Sequence, residues 1–291
     1  MTYDSKGEKI AQYIIVVLLF IFSLACLYPM IYVLSMSISS PVAAIRGEVW
    51  FFPVGFSTKS YELMMGSKDL WISYRNTLWY TGFGTLINVV LTMAAAYPLS
   101  RKEFFLSNKI MMMITFTMFF SGGMIPNFLL VNALGLYNTR WALIIPGAIG
   151  AYYVIVARTF FAGIPDSLME SAKLDGANDI IILIRIVIPL SLPLVAVLVL
   201  YYAVHHWNSY FSAMIYIVDK NLQPLQLYLR SVLIENSGEA TRMMPGGEEK
   251  SMISEQIKYS IIIISTVPIL CVYPFLQKYF VKGIMIGAIK A

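Results

Sequence analysis

The sequence predicts an all-α membrane protein with six transmembrane helices, and three observations carry that expectation. Apolar residues make up 58% of the 291 residues and charged residues only 13%, against about 25% charged in an ordinary soluble domain. The mean hydropathy is +0.72. The apolar residues gather into runs of roughly 20 or more, not ten-residue alternating segments, so a β-barrel is excluded and helical spans are expected. A soluble fold would lack the polar residues to cover its surface. At about 20 residues per span, the chain has room for roughly six spans and their loops.

The first span is expected over residues 10–38, after a polar start from Met1 to Lys9. Ser23-Leu24-Ala25-Cys26 superficially matches a lipoprotein cleavage box. The apolar run continues well past Cys26, however, too far for the h-region of a signal peptide, and reads as an uncleaved span. The other spans are expected over residues 74–99, 109–131, 141–161, 186–207 and 258–280. Pro29, Pro98, Pro126, Pro146, Pro189, Pro193, Pro268 and Pro274 fall in these runs or at their ends. Spanning helices tolerate such prolines where neighbours satisfy the freed carbonyls, so kinks are expected.

Orientation follows from the basic residues. The link after the second span holds Arg101, Lys102 and Lys109, and the tail holds Lys278, Lys282 and Lys290, whereas the link after the third span holds only Arg140. Basic residues concentrate in cytoplasmic loops, so the second-to-third link and both termini are expected in the cytoplasm. Residues 39–73 and 208–257 then form long outer loops. The second carries Pro224–Leu229, read as a short interfacial or capping element, followed by a polar hairpin over 235–250.

The formal charge of +5 fits these loops. No basic patch with interleaved aromatic residues points to nucleic acid. Cys26 and Cys271 both lie inside apolar runs, so neither a disulfide framework nor a metal site follows. No internal repeat is evident.

The most informative stretch is Ile164–Asn178. It is polar, and it reads as a helix over 167–175 with both ends marked. Ser167 and Glu170 have the spacing of a capping box, Pro165 stops backward extension, and Gly176 suits the left-handed position that terminates a helix. Asn178 is placed to cap a second helix from Asp179 to about Val187, which runs into Pro189. A short rigid helix between two spans makes a lever for them. Taken singly, each residue has a plainer reading: Glu170 caps, Gly176 turns and the prolines kink.

Together, at this spacing, Glu170-Ser171-Ala172, Gly176 and Ile186-Val187-Ile188-Pro189 resemble the EAA loop of ABC importer permeases, with Ser171 in place of an alanine and Ile188 in place of a leucine. Ala95-Ala96-Tyr97-Pro98-Leu99-Ser100-Arg101 resembles the inner end of the second span in carbohydrate importers of this family. Phe120–Pro126, Tyr202–Phe211 and the tail Gln277–Lys290 also resemble such importers. The details are most similar to the maltose-permease second-subunit type, in the branch for aldouronate and other polysaccharide-derived oligosaccharides. The resemblance covers nearly the whole chain.

This resemblance implies a type I importer permease fold in a bacterial cell membrane and no catalytic residues. The chain would be one of two permease subunits. Two ATPase subunits holding ATP and Mg would dock on the coupling helix, and an extracytoplasmic solute-binding protein would deliver an oligosaccharide. Glu170, Ser171, Ala172, Asp175, Gly176, Ile188 and Pro189 would couple to the ATPase. The sequence agrees independently that the chain lacks its own motor. No G-x-x-x-x-G-K-[ST] occurs, and the nearest decoy, Gly246-Gly247-Glu248-Glu249-Lys250-Ser251, has no glycine before its lysine. The only histidines are the neighbours His205 and His206, and no nucleophile–base set or metal site is visible.

For the sugar path, polar and aromatic residues in the spans are the candidates: Asn88, Asn127, Tyr152, Tyr153, Tyr202 and Asn208. The competing reading is that Trp, Tyr and His near span ends anchor the interface and that Asn within a span bonds a neighbouring helix. Arg75, Arg140, Arg158 and Arg185 all lie toward span ends, so anion selectivity is not visible in the sequence. The rival function is an ion-coupled secondary transporter, which needs ionisable residues at mid-membrane that the predicted spans hardly hold. A membrane scaffold or receptor is a second rival.

Overall fold

The computed structural model describes residues 6–235 and 253–271, and no strand occurs among them. In chain order the helices are α1 (Lys6–Ile38), α2 (Pro41–Ile45), α3 (Lys59–Met65), α4 (Lys68–Ser100), α5 (Ser107–Phe119) and α6 (Met124–Ala133). A 3-10 turn at Arg140–Leu143 leads to α7 (Ala151–Ala162), α8 (Asp166–Leu174) and α9 (Asp179–Ile182). A π-helical turn at Leu183–Val187 joins α9 to α10 (Ile188–Leu190), followed by α11 (Leu192–Trp207), α12 (Phe211–Tyr216) and α13 (Leu225–Glu235). The last described helix is α14 (Ile253–Cys271). The polar hairpin expected over 235–250, and the tail from 272, lie outside the described residues apart from Glu235.

Three helices, α1, α4 and α14, are long and apolar enough to cross a membrane, and up to five spans result if each bent helix pair counts as one. The expected third span is two helices, α5 and α6, set at 117° to one another. The break falls at Ser121-Gly122-Gly123, where Gly123 takes φ 85°, a left-handed backbone that suits glycine. The expected fourth span is the 12-residue α7 preceded by the 3-10 turn. The expected fifth divides at Ser191, with an 85° bend between residues 179–190 and α11.

The prolines act unequally. Pro29 and Pro98 sit inside α1 and α4 without ending them. Ahead of Pro189 the helix widens: the Ile188 amide donates to the Leu183 carbonyl, five residues back. A proline ring clashes with the carbonyl four residues before it, and a π turn moves that carbonyl aside.

The described residues divide into two compact units, 6–67 with 229–235 and 253–267, and 68–228 with 268–271. In the first unit, a serine-rich polar hub joins the end of α1 to α3 and α14. The Gln256 amide nitrogen donates to the carbonyls of Ser37, Ser39 and Ser57 at 2.8–3.1 Å, and Ser60 and Ser260 share a hydrogen bond of 2.6 Å. Most of α1 before this hub is exposed on the chain.

In the second unit, α4 is the central rod. Its 33 residues reach about 50 Å, and it packs along α7 and α11. The core between them holds Val89, Met93, Ala96, Val154, Ala157, Phe161, Val187, Leu194 and Leu198. The same cluster takes in Met169 and Ala172 of α8, which seats that helix against the end of the bundle.

Candidate functional site

α8 begins one residue earlier than its polar pattern suggests. Its N-cap position is Pro165, with no side-chain cap bond, and Ser167 lies inside the first turn. The Ser167–Glu170 capping box expected from sequence therefore does not form. Pro165 sets the entry with φ −56°, and Asp166 supplies the negative charge favoured at a helix N-terminus.

The other end follows expectation. Asp175 is the C-cap, and Gly176 takes φ 82°. Its amide donates to the Lys173 carbonyl at 3.0 Å, and the Ala177 amide donates to the Ala172 carbonyl at 2.9 Å. This pair of bonds is a Schellman motif, and Ala177 packs on the cluster that holds Ala172. The Asn178 side chain then accepts from the Ile181 amide at 2.9 Å, starting α9 as expected.

One face of α8 is buried through Met169 and Ala172. The other presents Ser167, Leu168, Glu170, Ser171 and Asp175, with Leu174 89% exposed. An exposed leucine at the end of a polar helix leaves an apolar knob that the described residues do not cover.

Three charged contacts tie α8 to the link after α4. Lys102 Nζ lies 2.9 Å from Asp166 Oδ2, and Lys173 Nζ lies 2.8 Å from Glu103 Oε2. Both pairs are largely exposed. The Lys102 ammonium holds the Asp166 carboxyl below its ordinary range through their hydrogen bond and then their charges. The hydrogen bond to Glu103 pushes the Lys173 ammonium up.

Arg101 is the third contact, and its side chain is only 15% exposed. It donates to Ser100 Oγ at 2.9 Å, to the Phe161 carbonyl at 2.7 Å and to the sulfur of Met169. It also stands 3.8 Å from Asp166 Oδ1, with its guanidinium over the Tyr97 ring. Tyr97, Arg101, Lys102, Glu103, Asp166, Met169, Glu170 and Lys173 enclose a slot of about 190 Å³.

Glu170, Ser171, Ala172, Asp175 and Gly176 thus stand together on one capped helix. Ile188 and Pro189 lie on the next segment, beyond the π turn. Of the clamp residues that hold α8 to the link, Arg101, Lys102 and Glu103 were legible as topology signals, and Asp166 and Lys173 only as members of the polar stretch 164–178. The usable signal was a charge match, Arg-Lys-Glu at 101–103 against Asp and Lys at 166 and 173.

The sequence is matched over residues 1–286 by the family model of the binding-protein-dependent transport system inner membrane component. The chain belongs to that family. Among its relatives, the polygalacturonan/rhamnogalacturonan transport system permease protein YtcP of Bacillus subtilis (strain 168) is 39% identical over 272 residues, covering 94% of this chain and 95% of the relative. Protein LplC of the same organism is 38% identical, covering 90% and 88%. The chain is also similar to a chain in the crystal structure of a bacterial ABC transporter involved in the import of the acidic polysaccharide alginate. The TM-score is 0.87 at 36% identity, over 96% of this chain and 100% of the other.

In this family member, the six residues expected along the sugar path separate into two groups. Asn88 is 1% exposed, and its amide nitrogen donates to the carbonyls of Gly147 and Ala148, each at 2.8 Å. Its oxygen therefore accepts from His206 Nε2 at 2.6 Å. The buried Tyr202 hydroxyl accepts from the Gly150 amide at 3.2 Å and bonds Thr92 at 2.7 Å. Tyr153, half-buried, packs its ring 4.6 Å from that of Tyr202. These three lie close together between α4, α7 and α11. Asn127, Tyr152 and Asn208 are exposed, and Tyr152 sets its ring edge-on to that of Tyr153, 5.6 Å between centroids. Asn208 bonds the Val204 carbonyl at the end of α11 at 3.0 Å.

A second polar cluster had no signal in the sequence. The buried Asn76 donates to the carbonyls of Asn221 and Gln223 at 2.6 and 3.1 Å and accepts from Arg140 at 3.0 Å. Tyr80 donates to the Leu222 carbonyl at 2.8 Å. Arg140 is thereby paired within the chain.

Proposed function

We propose that this chain is one of two permease subunits of an ATP-driven importer that takes an acidic oligosaccharide from an extracytoplasmic solute-binding protein. The observation that carries the proposal is α8 itself. It is capped at its C-terminus, seated on the bundle through Met169 and Ala172, and it turns Leu168, Glu170, Ser171 and Leu174 outward. Such a face suits docking of an ATPase subunit that binds ATP and Mg in its own site. Family membership supports the assembly of permease, ATPase and binding protein.

The mechanism is alternating access. Closure of an ATPase pair pushes α8, and the bundle reopens to the other side of the membrane. Six spans, with both termini and α8 on the cytoplasmic side of a bacterial cell membrane, complete the reading. The acidic substrate class is drawn from relatives whose names specify polygalacturonan, rhamnogalacturonan or alginate. Within the chain, Asn127, Tyr152 and the open edge of Tyr153 are the candidates for sugar contact. Asn88 and Tyr202 have their polar atoms committed to protein partners.

The test is reconstitution in liposomes with the partner subunits and binding protein. ATP-dependent uptake of oligogalacturonides that outcompetes neutral oligosaccharides supports the proposal. Glu170→Lys and Gly176→Pro are expected to abolish uptake while the chain still inserts. Normal sugar-stimulated ATP hydrolysis in both variants refutes α8 as the lever.

A further inference from the structure

We infer that Arg101 is a positioning residue that makes α8, the end of α4 and the end of α7 move as one body. The inference rests on the reading of α8 as the ATPase-docking helix and extends it. A lever built on chain continuity alone would pull only on the segments before and after α8. Arg101 adds α4, the rod against which both α7 and α11 pack.

The geometry supports this step by step. Arg101 follows the last residue of α4. One guanidinium nitrogen donates to the Phe161 carbonyl at 2.7 Å, in the last turn of α7, where carbonyls lack partners within the helix. Another donates to the sulfur of Met169, the most deeply seated residue of α8. Its Nε donates to Ser100 Oγ at 2.9 Å, and that hydroxyl donates to the Tyr97 carbonyl at 2.6 Å. Three helices therefore meet on one planar group that is mostly shielded from water.

A single pivot would still let α8 swing. The ion pairs of Lys102 with Asp166 and Lys173 with Glu103 stand seven residues apart on α8, about 10 Å along its axis, and fix its direction relative to the 101–103 link. Arg101 carries the load, and the exposed pairs set the angle. A lysine at 101 would keep the charge and lose the fork, because an ammonium on a flexible stem cannot hold three separated acceptors in fixed directions.

The test uses the complete transporter in liposomes, with sugar moved per ATP hydrolysed as the readout. Arg101→Lys is expected to lower that ratio about tenfold, the scale of one lost charge-assisted hydrogen bond, while the ATPase subunits still co-purify. A normal ratio in Arg101→Lys overturns the inference. Should Arg101→Lys fail to assemble, a second arm decides. Lys102→Cys with Asp166→Cys, in a chain that keeps Arg101 and carries Cys26→Ser and Cys271→Ser, joined by a short bifunctional thiol reagent, is expected to leave the ratio within twofold of the same variant before cross-linking. Loss of transport on cross-linking shows that α8 and the link must separate, and overturns the inference. If the ATPase subunits do not co-purify even with the unaltered chain, the docking reading itself fails, an outcome distinct from either of these.

Discussion

Two regions of the second unit handle polar groups in opposite ways. Between α4, α7 and α11, Asn88, His206, Thr92 and Tyr202 are sealed from solvent and bonded to one another or to backbone. At the end of the bundle, α8 is held by Lys102–Asp166 and Lys173–Glu103, both in reach of water. A buried amide that loses its partners pays the full cost of desolvation, whereas an exposed ion pair exchanges its partner for water at little cost. The first arrangement ties α4 to α11 and to the start of α7 through buried bonds. The second leaves only the direction of α8 to water-exposed pairs, while the shielded Arg101 holds the helix to the bundle.

The largest expected effect breaks the sealed region. A Cβ added at Gly84 would lie 2.5 Å from His206 Nε2. The ring must swing away, and doing so breaks its bond to Asn88. Overpacking and the lost bond each contribute about 1–3 kcal/mol, so Gly84→Ala is expected to lower the unfolding midpoint of the purified chain in detergent by the largest margin. A midpoint equal to that of the parent would mean that α4 and α11 do not pack as described.

Asn88→Ala follows. It leaves the His206 N–H and two carbonyls unpaired, for an expected loss of about 1–3 kcal/mol. It also separates the two readings of Asn88. Destabilisation with unchanged apparent sugar affinity in transport assays fits a helix-joining role, whereas a stable chain with weakened affinity would return Asn88 to the sugar path.

What the sequence showed and hid follows the same division. The apolar runs gave away α1, α4 and α14, because helix length and composition are local. The order Pro165, Gly176, Asn178, Pro189 located α8 and both of its neighbours, because turns and caps are also local chemistry. The capping box failed because Pro165 took the cap position and Asp166 found its partner in Lys102, 64 residues away. The 117° break between α5 and α6 was not foreseen, since a Gly-Gly pair in an apolar run is compatible with a straight span. The commitment of Asn88 to His206 and the Gly147–Ala148 carbonyls was equally invisible. It depends on which faces of α4 and α11 meet, and no residue type announces that.

On α8, Gly176→Ala sharpens the comparison because only backbone is at stake. Nothing lies within 4 Å of a Cβ at this position, so the cost is that of a left-handed φ alone, about 1–2 kcal/mol. The expected result is faster amide exchange over 171–177 with the α4–α11 core unchanged. Gly176→Asn, which tolerates this backbone better, is expected to fall between the two. Equal exchange in all three chains would show that the Schellman turn does not hold the helix end.

The smallest effect belongs to the ion pairs, and its pH dependence has a definite sign. Asp166 titrates below its ordinary value of 3.8, so its contribution is present above that value and lost as pH falls through the lowered one. Lys173 titrates above its ordinary 10.5, so its contribution is present below that value and lost as pH rises through the raised one. Amide exchange of α8, corrected for its intrinsic pH dependence, is therefore expected to stay level from about pH 5 to 9 and to rise only beyond both ends. Lys173→Glu sets a second carboxylate beside Glu103 and is expected to speed exchange at low salt, an effect that fades once salt shortens the screening length to a few Å. Restoring a pair with Glu103→Lys in the same chain should reverse it. A double variant no slower in exchange than the single one would show that Lys173 acts through α8 itself and not through its partner across the clamp.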